Sequence, residues 1–173
     1  SLATLREQIG LVLQDVFLFS GSVRDNVTLR NPAISDEDMR RAADAINAAP
    51  FIERLTNGYD QQVRERGMTL SHGQRQLISF LRALVYDPRM LVLDEATSSV
   101  DTETEEIIQT ALETLMSGRT SIAIAHRLST VQHADQILVM HHGRVRECGT
   151  HQELIASDGL YRRLYELQYK EQE

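Results

Sequence analysis

Two adjacent acids, Asp94 and Glu95, directly follow the short apolar run 90–93. An uninterrupted apolar run of this length is typical of a strand that is buried on both faces of a parallel sheet. In open α/β sheets ligands bind beyond the carboxyl ends of the strands, which is where these two side chains would lie. The pair therefore indicates one carboxylate that holds a metal ion and one that acts on a water molecule.

The sequence before this strand is typical of a helix whose first turn could bind an anion. Ser71, His72 and Gly73 stand at its start, so their backbone N–H groups and the positive end of the helix dipole would face outward. Residues 74–86 form the predicted helix, and Pro88 ends it because proline lacks an N–H donor and disfavours α geometry in its predecessor. A turn that can meet phosphate, then a helix, a strand and paired acids, together indicate nucleotide chemistry.

The string LSHGQ at 70–74, with the strand and acids that follow, resembles the signature motif and Walker B strand of an ABC-type ATPase. Other motifs of that family flank it in the family's order. They are Gln14 after the apolar run 9–13, like the Q-loop; FLFSGSVRDNV at 17–27, like the exporter branch; VRERG at 63–67, like the exporter X-loop; Asp101 in SSVD, like the D-loop; and His126 after the apolar run 122–125, like the switch histidine. The chain thus resembles the nucleotide-binding domain of an ABC exporter over nearly its whole length.

This resemblance implies an α/β fold, namely an incomplete P-loop NTPase (RecA-like) core with a mainly parallel sheet, plus the ABC helical subdomain. Residues 1–34 would form the Q-loop strand and the following segment of the core. Residues 35–86 would form the helical subdomain with the signature, and residues 87–173 the rest of the core with the Walker B, D-loop and H-loop motifs.

The resemblance also implies ATP and Mg²⁺ as cofactors and gives a role to four residues at the chain's own nucleotide site. Asp94 and Gln14 would hold the Mg²⁺ ion. Glu95 would orient or deprotonate the attacking water, and His126 would hold the γ-phosphate in line. On the residues alone, Gln14 could also be an ordinary polar end of a strand.

In this family the signature of one domain completes the ATP site of a second. Ser71, Gly73 and Gln74 would therefore close the site of a partner domain, which could be identical or different. His72 replaces the first glycine of the usual LSGGQ, and its Cβ and imidazole could narrow the turn. Asp101 would also contact the nucleotide through the D-loop, although it could equally cap the helix that follows.

The family's Walker A loop, GxxxxGK[ST], does not occur in these 173 residues. Lys170 is the only lysine, and no glycine loop precedes it, so it cannot be the lysine that contacts the β- and γ-phosphates. We therefore expect this sequence to begin within a domain and, by itself, to be inactive as an ATPase.

The expected function is the C-terminal part of the ATP-binding and hydrolysing domain of an exporter at the cytoplasmic face of the membrane. Its partners would be a second nucleotide-binding domain and the coupling helices of a transmembrane domain. The net charge of −7, with both signs scattered, argues against a nucleic-acid partner. Two alternatives remain: a soluble ABC ATPase, or an interaction module that works without nucleotide.

Hydrophobic periodicity and capping signals predict the elements that would position these residues. Ser35 with Asp38 should open a helix that extends to about Ala45, and Thr150 with Glu153 should open another. The last helix should pack through Leu160, Leu164 and Leu167. Strands are expected at 9–13, 90–93, 120–125, 136–140 and 144–147, with His142-Gly143 as a hairpin turn, and further helices at 51–55, 74–86 and 102–115.

Overall fold

The structure is a computed structural model that describes residues 1–64, 67, 69–94, 102–125 and 131–170, without the side chains of 102–104 and 168–170. The chain forms two compact units, Ser1–Ile124 and Ala125–Glu173. Within the described residues, no helix is both long enough and apolar enough to cross a membrane.

The described chain contains both α-helices and β-strands, which alternate between residues 62 and 124. The strands are β1 (Ile9–Val12), β2 (Gly21–Ser22), β3 (Gln62–Val63), β4 (Met90–Asp94), β5 (Thr120–Ile124), β6 (Ile137–His141) and β7 (Arg144–Gly149). The α-helices are α1 (Leu2–Glu7), α2 (Val23–Thr28), α3 (Asp36–Ala45), α4 (Ala49–Glu53), α5 (His72–Val85), α6 (Thr102–Met116), α7 (His151–Ala156) and α8 (Leu160–Lys170), and a short 3-10 helix covers Gly58–Asp60.

The first unit contains a parallel three-stranded sheet in the order β1-β4-β5. Strand β4 is central, and its register aligns Val92 with Leu11 on one side and with Ile122 on the other. Strands β2 and β3 form a separate antiparallel pair. The predicted strands at 9–13, 90–93 and 120–125 are confirmed to within a residue or two at their ends.

The core of the first unit lies on one face of this sheet. Val12, Leu91 and Leu93 belong to a single buried cluster with residues of α5 and α6. On α6 the buried positions are Ile108, Ala111, Leu112 and Leu115, which form an apolar stripe at helical spacing.

The opposite face of the sheet is open among the described residues. Leu11 is 58% exposed, Ile122 is 52% exposed and Val92 between them is half-buried. The expectation that 90–93 is buried on both faces is therefore wrong for the described residues, since only alternate side chains of β4 enter the core. An apolar run does not reveal how many faces of a strand are covered.

Helix starts in both units are set by local hydrogen bonds. Ser22, Ser35, Ser71 and Thr150 each form a capping box, in which the hydroxyl accepts from a backbone N–H and the side chain three residues later accepts in return. Those at Ser35 and Thr150 confirm the predicted starts of α3 and α7. Those at Ser22 and Ser71 open α2 and α5, and α2 was not predicted.

In the second unit, the hairpin β6–β7 packs with α7 and α8. His142 and Gly143 form its turn with φ of 48° and 71°, as predicted from the sequence. Glu147 on β7 accepts hydrogen bonds from the backbone N–H groups of Leu160 and Tyr161 at 2.5 and 3.0 Å, which holds the start of α8 against the hairpin.

The packing face of α8 differs from the expectation. Leu164 and Leu167 are 53% and 61% exposed, whereas Tyr161 is 2% exposed and its hydroxyl lies 2.7 Å from Nδ1 of His151. Leu160 is partly buried against the same cluster. The leucine spacing was compatible with a buried stripe, but the docking of the first turn of α8 buries the tyrosine instead.

Candidate functional site

Two of the predicted site residues lie at the carboxyl edge of the parallel sheet, at or just beyond the ends of neighbouring strands. Asp94 is the last residue of β4 and is half-buried. Gln14 is exposed and follows the end of β1 by two residues. Because Val12 of β1 is aligned with Leu93 of β4, the two polar side chains extend from the same edge. Asp94 also alternates with buried Leu93, which places it on the open face of the sheet.

These side chains offer hard oxygen ligands, which suit Mg²⁺. This ion keeps several waters and needs only one or two protein carboxylates, so a large protein cage is unnecessary. The described part of the chain contains no group of three or more His, Cys, Asp or Glu side chains that could hold a metal. Asp94 and Gln14 therefore fit the expected ion in the chemistry of their side chains, and both lie at the same edge of the sheet.

The turn at the start of α5 is well defined by its cap. The hydroxyl of Ser71 accepts from the backbone N–H of Gln74 at 3.2 Å, and Oε1 of Gln74 accepts from the backbone N–H of Ser71 at 3.0 Å. The N–H groups of His72 and Gly73 fall in the first helical turn, where no intrahelical acceptor exists. His72 is half-buried and Gly73 is buried, so the anion site expected at the positive end of the helix dipole stays a prediction.

His72 occupies the first position of α5 and is half-buried. Its backbone is part of the helix, so the replacement of glycine by histidine changes the side chain of the turn and keeps its backbone N–H.

The end of the X-loop-like segment packs directly against the signature helix. Gly67 has φ of 67°, and a Cβ there would lie 2.7 Å from Cδ of Arg75. Arg75 in turn donates to the carbonyl of Leu70 at 2.8 Å. Glycine is needed at this position both for its backbone conformation and for the close approach. Glu65 and Arg66 of the same segment lie outside the described residues.

The exporter-like segment presents two aromatic side chains. Phe17 and Phe19 are 50% and 53% exposed, and their rings meet edge to face at 5.0 Å between centroids. Leu18 between them is fully buried. Side chains therefore alternate along this stretch, with the aromatic pair facing outward.

Two polar residues that the sequence analysis did not single out hold this segment. Asn26 is completely buried, and its side chain both accepts from the backbone N–H of Phe19 at 2.8 Å and donates to the carbonyl of Phe19 at 2.9 Å. Arg82, on α5, donates to the carbonyls of Asn26 and Phe17. No local pattern in the sequence marked either Asn26 or Arg82.

Three predicted site residues, Glu95, Asp101 and His126, lie outside the described residues. Asp94 is the last described residue before Glu95, and Ala125 is the last described residue before His126. The roles of all predicted site residues, including those at the sheet edge and the signature turn, stay predictions.

Comparison with known proteins gives the family of this chain. The protein-family model described as "ABC transporter" matches residues 1–98. The chain is 54% identical over 169 residues to the uncharacterized ABC transporter ATP-binding protein YknV of Bacillus subtilis (strain 168), with 98% of this chain and 28% of that protein covered. It is 50% identical over 164 residues to the probable multidrug resistance ABC transporter ATP-binding/permease protein YheH of the same organism, covering 95% of this chain and 24% of that protein.

A solved structure agrees with these sequence matches. The structure of a bacterial Atm1-family ABC exporter with ATP bound is similar to this chain with a TM-score of 0.88 and 41% identity, over 96% of this chain and 30% of that one. The match confirms the predicted α/β fold with a parallel sheet. The chain spans 24 to 28% of the length of the two curated relatives. It belongs to the ABC transporter family, among the ATP-binding domains of ABC exporters.

Proposed function

We propose that this chain is the part of an exporter's ATP-binding domain that carries the hydrolytic carboxylates, the signature and the surface for the membrane domain. The observation that carries the proposal is the shared edge of β1 and β4, where Asp94 ends β4 and Gln14 follows the end of β1 by two residues. That is the place at which open parallel sheets bind ligands. The whole reaction would couple ATP hydrolysis to outward transport at the cytoplasmic face of a membrane.

At this edge, Asp94 and Gln14 would bind Mg²⁺, which when bound neutralises charge that develops on the phosphoryl group. Glu95 would accept a proton from the attacking water or orient it. His126 would donate a hydrogen bond to the γ-phosphate and keep it in line. The proposed division of roles between the neighbouring carboxylates follows the order of the chain, since Asp94 ends the strand and Glu95 is the next residue.

A second domain is required because the start of α5 is a separate anion site. The N–H groups of the first turn and the capped side chains of Ser71 and Gln74 would close over the ATP held by the partner domain, with Gly73 and Asp101 beside them. Two domains packed head to tail would then enclose two ATP molecules. The partner is either a second copy of this domain or a related domain.

The aromatic pair and the X-loop-like segment would transmit closure to the coupling helices of a transmembrane domain. Exposed aromatic side chains on an otherwise ordered segment are typical of protein contact sites. Phe17 and Phe19 supply such a patch, and Gly67 connects the 63–67 segment closely to the signature helix.

The proposal is tested with Glu95→Gln in the full-length protein. If Glu95 acts on the water, hydrolysis should fall by at least about 100-fold, the lower end of general acid–base contributions, while ATP binding is retained. Phosphate release and nucleotide binding are measured on the same preparations, with Glu106→Gln on α6 as the control. Equal hydrolysis by Glu95→Gln and wild type would remove Glu95 from this role.

The 173-residue chain alone should release no phosphate above background, because it contains no GxxxxGK[ST] loop to hold the β- and γ-phosphates. Phosphate release by the pure chain that Glu95→Gln abolishes would contradict this expectation.

A further inference from the structure

Arg82 connects the signature helix to the aromatic pair by direct hydrogen bonds. Its Nε donates to the carbonyl of Asn26 at 2.8 Å, and its two terminal nitrogens lie 3.4 and 3.3 Å from the carbonyl of Phe17. Its Cζ lies 6.0 Å from the centroid of the Phe19 ring, within the range of a cation–π contact. One guanidinium thus contacts three residues of the exporter-like segment.

The environment of Arg82 indicates that the shape of this group matters more than its charge. The side chain is half-buried, and no residue in the described ranges forms an ion pair with it. Burial lowers the pKa of Arg82 from its ordinary value, although Tyr86 partly opposes this. The partners are backbone carbonyls, and a planar fork with five N–H donors can reach two of them at once, which a lysine cannot do with the same geometry.

The aromatic pair depends on side chains for its position. Residues 16–19 belong to no helix or strand. The backbone N–H and carbonyl of Phe19 therefore form hydrogen bonds with the side-chain amide of Asn26, where a strand residue would form them with the backbone of a neighbouring strand. Asn26 lies on α2, directly after the segment it holds. Arg82 is different because it lies on α5, whose first turn is the signature.

A second hydrogen bond connects the end of α5 to α2, away from the aromatic pair. The hydroxyl of Tyr86, just after the end of α5, donates to the carbonyl of Thr28 at 2.8 Å. This bond joins α5 to the last residue of α2 and does not touch the aromatic pair. It therefore offers a matched comparison for Arg82.

We propose that Arg82 is a positioning residue that transmits the movement of the signature turn to the exposed Phe17–Phe19 pair. Ser71 and Arg82 are joined by one rigid helix and lie roughly 16 Å apart at 1.5 Å per residue. When the signature turn closes on nucleotide, the far end of α5 must move with it, and the Arg82 fork carries the Phe17 carbonyl along. The inference rests on the proposed function, because it requires that the signature meets ATP and that the aromatic pair meets the membrane domain.

The test measures amide hydrogen exchange in the full-length protein, with and without a non-hydrolysable ATP analogue and Mg²⁺. Two stretches are compared, 70–76 at the signature and 15–22 at the aromatic pair. The variants are Arg82→Lys, which keeps the charge, and Arg82→Gln, which keeps one donor group. Tyr86→Phe is the control, since it also loses a hydrogen bond between α5 and the α2 region.

In wild type and Tyr86→Phe, the nucleotide should slow exchange at both stretches. In the Arg82 variants, the nucleotide-dependent change at 15–22 should fall by about fivefold or more, the lower end of ordinary coupling between sites, while the change at 70–76 persists. A purely structural role would speed basal exchange with and without nucleotide and leave the nucleotide-dependent difference intact. A single Arg82 variant that folds is sufficient for this comparison.

The outcomes separate the two proposals. If nucleotide leaves 70–76 unchanged in wild type, the signature does not meet ATP and the proposed function fails. If nucleotide changes 70–76 and 15–22 equally in wild type and in Arg82→Lys, the proposed function survives and the positioning role of Arg82 is refuted.

Discussion

Asn26 should be among the polar side chains whose loss destabilises this chain most, and Asn26→Ala tests that. The amide is completely buried and makes three hydrogen bonds, two with the backbone of Phe19 and one to the carbonyl of Ser22 at 3.0 Å. Each such bond contributes about 1 kcal/mol net. Alanine is the better helix former by roughly 0.5 kcal/mol, which offsets part of the loss. We therefore expect the free energy of unfolding to fall by about 2 to 3 kcal/mol.

The assay is urea unfolding of the chain followed by far-UV circular dichroism. With a slope of about 2 kcal/mol per molar urea, the midpoint should fall by roughly 1 to 1.5 M. Asn31→Ala is the matched control, because among the described residues Asn31 makes one side-chain hydrogen bond, from the backbone N–H of Ala33 at 3.0 Å. The reasoning is refuted if the two variants lose the same stability within about 0.5 kcal/mol, since the buried network would then contribute no more than a single surface bond.

Two further predictions concern the starts of α5 and α7. In the full-length protein, His72→Gly should lower the ATP concentration needed for half-maximal closure of the two ATP-binding domains, because glycine allows a closer approach of the turn to phosphate. Distances between spin labels on the two domains would measure this closure. An unchanged half-maximal ATP concentration would show that the side chain of His72 has no effect on closure. At α7, hydrogen bonds from the backbone N–H and then the hydroxyl of Thr150 hold the pKa of Glu153 below its ordinary value of 4.5. Glu153 therefore stabilises the folded chain above that pH, and its contribution is lost as the pH falls below it. Glu153→Gln should flatten the dependence of stability on pH below about 4.5. Thermal unfolding would measure this, with Glu37→Gln at an exposed site as the control. An identical pH dependence in Glu153→Gln and wild type would contradict the stabilising role of the Glu153 carboxylate.

Local signals in the sequence determined much of the secondary structure. Capping boxes at Ser35 and Thr150 and the His142-Gly143 turn were predicted and are confirmed, because each depends on residues within three or four positions of one another. The strands of the parallel sheet were predicted from their apolar runs for the same reason. The order of short motifs along the chain was also sufficient to predict the family.

Only the tertiary structure decided which surfaces those elements share. Arg82 and Phe17 are 65 positions apart in sequence, and the bond between them follows no local periodicity. The pattern at the end of the chain allowed a leucine face on α8, but Glu147 on β7 holds the helix start so that Tyr161 is buried and Leu164 and Leu167 are exposed. Likewise, the apolar run of β4 predicted burial of both of its faces, whereas the described residues cover only one face. Periodicity shows which side chains lie on one face of an element, and contacts between distant parts of the chain decide what covers that face.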